Sequence, residues 1–148
     1  MPNLTPADFR SAIYLDFEGR KSIAEEMYPL PHMAGVFRAN QKGKGGKYSA
    51  NFFKSEWKPA AHGAGRSVSN DNFRDFFSAM IEDLVSENKY LVYWTVHEET
   101  ILKRHLTQDL WMRLKPYLFN VHPLARRYMN RRKAFGIDTT ARGKPLEE

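Results

Sequence analysis

Ile13-Tyr14-Leu15-Asp16-Phe17-Glu18-Gly19 carries two carboxylates at the end of an otherwise apolar run. The run has strand-like composition, and side chains on a strand alternate between faces. Tyr14, Asp16 and Glu18 are therefore expected on one face, with Ile13, Leu15 and Phe17 on the other. Burying two adjacent like charges is costly unless a cation offsets them, and a divalent metal is the usual solution. An exposed edge strand with an acidic face is the plainer alternative, and for an isolated Asp-x-Glu it is the stronger one. The decision rests on the rest of the chain.

Outward from this segment, three strands are predicted first: Ala12 to Phe17, Met33 to Ala39, and Lys47 to Phe53. Gln41-Lys-Gly-Lys-Gly-Gly-Lys47 reads as the hairpin turn between the second and third. It lacks the spacing and following helix of a phosphate-cradling P-loop, although its lysines remain candidates for touching a phosphate backbone. Lys58 to Asn70, rich in Pro, Gly, Ala and Ser, reads as an exposed connection. Phe73, Phe76, Phe77, Met80, Ile81, Leu84 and Val85 then follow the spacing of an amphipathic helix, with Asn70 or Asp71 as its cap.

Tyr90-Leu-Val-Tyr-Trp94 is the next strand, and Thr95-Val-His-Glu98 opens a helix continuing through Leu106. A further helical stretch runs from Thr107 to Leu118, kinked or ended by Pro116. Tyr117 to Val121 supplies a fifth strand, and Pro123 to Phe135 a last basic helix. Helical connections imply parallel pairing of the later strands, so the expected fold is α/β: an antiparallel three-strand meander followed by parallel strands in one mixed sheet flanked by helices. The first and fourth strands are then neighbours. Ligand sites in such sheets lie outside the carboxyl ends of strands near a topological switch, where Asp16, Glu18 and the start of the Thr95 helix fall.

The 148 residues suit one domain, and the 42% hydrophobic content suits a packed core rather than disorder. Without cysteine, disulfides, thiolate metal sites and cysteine nucleophiles are excluded, and a metal must sit on oxygen or imidazole. The amino-terminal sequence has no basic, apolar leader pattern and no stretch approaches a membrane span, so a soluble cytoplasmic protein is expected, with no membrane partner. Residues 136–148 are expected to form a flexible tail. The net charge of +6 is uneven: from Lys103 to Lys133 nine bases face only Asp109. Such a bias favours a polyanion, nucleic acid first, while a solvated basic helix is the common alternative.

Leu15-Asp-Phe-Glu-Gly19, the meander, the helix, and Tyr93-Trp-Thr-Val-His-Glu98 with Leu102 together resemble the DEDD-type 3'-to-5' exonuclease superfamily, which has a ribonuclease-H-like fold. Its uncharacterised predicted bacterial members are the more specific likeness, over about Ala12 to Tyr128. The resemblance implies two magnesium or manganese ions held by four carboxylates, with water attacking a phosphodiester of DNA or RNA in line. Such ions lie about 3.5 to 4 Å apart and share a ligand. On this resemblance Asp16 is the bridging ligand, Glu18 binds one metal and orients the water, and Glu98 is the second motif's acid. Trp94 and His97 depart from that motif's usual asparagine and aromatic. Thr95-x-x-Glu98 is also a capping box, so ligand and cap are both open for Glu98.

Asn120-Val-His-Pro-Leu-Ala-Arg-Arg127 resembles the third motif with asparagine in the aspartate's place, offering a carbonyl but no charge. His122 is an auxiliary candidate. The family's last Tyr or His and aspartate have no counterpart after Phe135, Asp138 included. The expected domain, 1–148, is therefore incomplete at its carboxyl end or degenerate.

Two functions compete. One is a metal-dependent nuclease with Asp16, Glu18 and Glu98 at its centre and Asn120 as a fourth position. The other is a nucleic-acid-binding or protein-interaction module that has lost the chemistry, with Arg126, Arg127, Arg131, Arg132 and Lys133 on phosphates and exposed aromatics such as Trp57 stacking on bases. Glu56-Trp57-Lys58 also matches the Glu-x-Lys of restriction-type nucleases, although a surface salt-bridge stretch explains it more simply.

Overall fold

The alternation in the acidic segment is realised as a strand, β1 (Ile13–Glu18), whose apolar side chains enter the main core. The computed structural model describes residues 3–19, 22–40, 45–59 and 67–134, with side chains through residue 131. β1 is paired on both sides. Along its full length it runs antiparallel to β2 (Met33–Ala39), which pairs antiparallel with β3 (Gly46–Phe52). On its other side it runs parallel to β5 (Leu91–Tyr93), which is parallel to β6 (Leu118–Asn120). With β4 (Ser67–Ser69) parallel to β3, the order is β4-β3-β2-β1-β5-β6. This is the expected ribonuclease-H-like arrangement with one added edge strand.

β4 lies inside the segment read from sequence as an exposed connection. Its Ser-Val-Ser is too short and polar to register as a strand, and what fixes it is a side chain on β3. Asn51, only 1% exposed, accepts from Ser69 Oγ and Asp71 N at 2.8 Å each and donates to Asp71 O at 2.9 Å. A buried amide satisfied on both ends ties the edge to the sheet.

Four features lie on one face or lead to it. α2 (Phe73–Glu87) buries Phe73, Phe77, Met80, Ile81 and Leu84, the predicted stripe, whereas Val85 is exposed. Its cap is Asn72, not Asn70 or Asp71: the Asn72 side chain accepts from Asp75 N at 2.9 Å, while Asp71 is held by Asn51. α3 (Val96–His105) adds Leu102, and α4 (Gln108–Leu114) adds Trp111 and Leu114. Phe17, Phe53, Phe73 and Phe77 interlock there with ring centroids 4.8 to 6.3 Å apart.

The opposite face is thinly covered. A short helix not foreseen in the sequence, α1 (Pro6–Ser11), is nucleated by a Thr5–Asp8 capping box with proline in the first turn. It holds Tyr14, whose hydroxyl donates to Phe9 O at 2.7 Å, in a small cluster with Ala12, Val92 and Phe119. α5 (His122–Ala134) begins beside it, sharing a hollow of about 180 Å³ lined by Phe9, Phe119, Leu124 and Arg127. α5 starts one residue earlier than expected, and Pro116 sits in a single 3-10 turn, Lys115–Tyr117, that ends α4. The hairpin residues 41–44 and the tail 136–148 lie outside the described residues. Among the described residues no helix is long and apolar enough to cross a membrane.

Candidate active site at the end of β1

Alternation places Asp16 and Glu18 on the thinly covered face, both exposed, and among the described residues neither carboxylate makes a hydrogen bond or ion pair. Their strand lies where the sheet changes from antiparallel to parallel, between β2 and β5. Immediately after Glu18 the chain turns sharply. Gly19 takes φ +139°, and a Cβ there would meet His32 N at 2.5 Å, so only glycine fits the exit from the acidic strand. The turn is closed by His32 N donating to Glu18 O at 2.9 Å.

A hollow of about 440 Å³ opens at this end of β1, lined by Phe17, Glu18, Tyr28, Pro31, His97 and Ile101 among others. Tyr28, in the left-handed region at φ 50°, faces His97 across it with ring centroids 5.7 Å apart. Its carbonyl is held by His105 Nε2 at 2.8 Å. Thus the β1–β2 connection is strapped onto α3, and His97 of its first turn lines the same hollow as Glu18. Tyr28 was not singled out in the sequence, where an isolated tyrosine in an irregular stretch carries no signal.

Glu98 is 8% exposed and works as a cap. Its Oε2 accepts from Thr95 N at 3.0 Å and from the Thr95 hydroxyl, while Thr95 Oγ1 caps the helix in return. The adjacent Glu99 accepts from the Tyr93 hydroxyl at 2.8 Å. Burial first, and then this bond, push the Tyr93 phenol well above its ordinary pKa. Both acids of the α3 first turn are therefore engaged by β5 and its exit. Among the described residues no three His, Asp or Glu side chains are grouped closely enough to hold a metal, so Asp16, Glu18 and Glu98 do not form a ready-made triad.

Asn120 has a local partner as well: its Oδ1 accepts from His122 N at 3.0 Å at the start of α5. His122 packs edge-on against Trp94, 5.7 Å between centroids. No protein-family model, curated protein or solved structure matches this chain.

Arg126, Arg127 and Arg131 are exposed on α5, and the side chains of Arg132 and Lys133 lie outside the described residues. Trp57 does not offer a free stacking face. It is half-buried against the core, stacked on His32 at 4.3 Å and covered by Lys54 at 4.9 Å. Trp94, 52% exposed, is the more accessible indole. Glu56 and Lys58 flank Trp57 on an exposed 3-10 turn and its cap, as a surface stretch would.

Proposed function

We propose that the protein is a metal-dependent nuclease, hydrolysing phosphodiester bonds of DNA or RNA at the carboxyl end of β1. The observation that carries this reading is the pair Asp16 and Glu18, adjacent on one strand face, exposed and unpartnered among the described residues, at the point where the sheet changes sense. Two like charges left side by side without a cation favour one. Oxygen ligands suit hard ions, and magnesium in particular is bound through one or two carboxylates with water and substrate phosphates completing its shell.

The donor set therefore fits one magnesium or manganese ion shared with substrate better than the four-carboxylate, two-ion arrangement. When bound, such an ion supplies charge neutralisation at the phosphate and a more acidic water. Asp16 and Glu18 hold that position, and Glu18 also lines the 440 Å³ hollow together with Tyr28 and His97. Glu98 serves the site by fixing the first turn of α3, and Arg126, Arg127 and Arg131 supply positive charge for a phosphate backbone. Incubation of labelled single-stranded DNA and RNA with manganese should give degradation that Asp16→Asn removes. Equal degradation, or none, by both proteins rejects the reading.

A second reading has its own support. Glu98 and Asn120, the acid and the amide placed in the second and third motifs, are both engaged by the backbone at helix starts, Glu98 in a capping box and Asn120 accepting from His122 N. On that basis the domain is a nucleic-acid-binding or protein-interaction module without chemistry. Salt-sensitive nucleic-acid binding that persists in EDTA, and is weakened by neutralising Arg126, Arg127 and Arg131, is its signature.

A further inference from the structure

We infer that Tyr48, on β3, contacts a phosphate-bearing ligand of the Asp16/Glu18 site, donating from its phenol to an oxygen held beside Asp16; the inference rests on the nuclease reading. Asp16 lies opposite Gly35 on β2, and Gly35 lies opposite Ala50 on β3. Tyr48 belongs to the next row, opposite Phe37, two residues from Ala50 and so on the same face. Its ring does not stand upright over its own row. It leans back across β2, so that a Cβ built on Gly35 would lie 2.4 Å from Tyr48 Oη and 3.2 Å from Cζ. Glycine at position 35 leaves a slot, and the hydroxyl occupies it.

Side chains directly opposite in an antiparallel pair have Cβ atoms about 4.5–5.5 Å apart. The hydroxyl lies 2.4 Å from where a Gly35 Cβ would be, on the same face as Asp16, the residue directly opposite Gly35. It is nevertheless unbonded: among the described residues Tyr48 makes no hydrogen bond, and the residue is 53% exposed. A phenol brought across a strand, into a slot made by glycine, beside a free carboxylate, has its donor available for a ligand. A bare carboxylate pair repels a phosphate, whereas a neutral O–H donor beside it accepts one once a cation is present. Burying the ring over Gly35 is the purely structural use of Tyr48, and it does not require the hydroxyl.

The test uses the full chain and fluorescein-labelled single-stranded DNA, read by anisotropy in calcium and again in EDTA, for wild type, Tyr48→Phe, Gly35→Ala and Asp16→Asn. Calcium takes the same oxygen donors. Hydrogen bonds to charged groups are strong enough that losing one weakens binding about tenfold or more. Tyr48→Phe keeps the ring, so it should lose about tenfold in calcium, with the melting temperature and the EDTA value unchanged. Gly35→Ala displaces the hydroxyl and should give the same loss. If Asp16→Asn abolishes the calcium-dependent increment while Tyr48→Phe binds like wild type, the Tyr48 inference is overturned and the carboxylate site stands. If Asp16→Asn leaves binding unchanged, the carboxylate reading fails and the inference with it.

Discussion

On one face of the sheet Ile13, Leu15 and Phe17 lie in a continuous core with α2, α3 and α4; on the other, Asp16 and Glu18 from the same strand, and Tyr48 from β3, stand in solvent. Along β1 the two sets are interleaved residue by residue, so the difference there is one of facing alone. Hydrophobic burial on one side fixes the position of the backbone, and the backbone then positions polar groups on the other that contribute little to holding the fold. A strand of this kind can carry like charges side by side, because their cost is borne in water and not in the core. The open face is free to bind because the closed one is packed.

That contrast is broken if open-face substitutions destabilise as closed-face ones do. Phe77→Ala, at the centre of the aromatic cluster, should cost the most, about 3–5 kcal/mol by denaturant unfolding. Asn51→Ala strands the Asp71 amide and carbonyl and should cost about 1–3 kcal/mol, with protease sensitivity rising first around Ser67–Ser69. Glu98→Ala removes the reciprocal cap and should cost about 1 kcal/mol. Glu98→Gln preserves the capping box, so it should stay near wild-type stability. An unchanged cation response in Glu98→Gln assigns the residue to capping; a lost response gives its carboxylate a ligand's role. The smallest effect is expected at Glu18→Ala, within about 0.5 kcal/mol. A loss there comparable to that at Asn51 would show that the acids hold the fold and contradict the division between faces.

The same division explains what was legible in the sequence. Strands and helices whose apolar period faces the core, such as β1, β2 and α2, could be read from spacing because burial writes a pattern into the chain. β4 could not, since it is held by pairing with β3 and by one buried amide there, contacts remote in sequence. α1 was missed for a different reason: a six-residue helix shows too little periodicity, although Thr5, Pro6 and Asp8 mark its start. At the site, the Asp16/Glu18 pair was visible and their facing followed from alternation. Glu98 was ambiguous because one spacing serves both a capping box and an acidic motif, and the geometry shows the cap. Trp57 was misplaced as an exposed ring because its packing on His32 and Lys54 is tertiary. Tyr48 carried no signal, since its position depends on a glycine in the neighbouring strand.

The central claim is that Asp16 and Glu18 form a cation site at positions the fold does not need. Thermal unfolding across a manganese titration tests it most directly, because a ligand bound only to the native state stabilises it by RT ln(1 + L/Kd), with L the free ligand concentration, so the midpoint keeps rising with ligand concentration. Wild type should show a midpoint that climbs steadily with the logarithm of manganese concentration, while Asp16→Ala, folded and equally stable without metal, stays flat. The same manganese response in both proteins would contradict the claim.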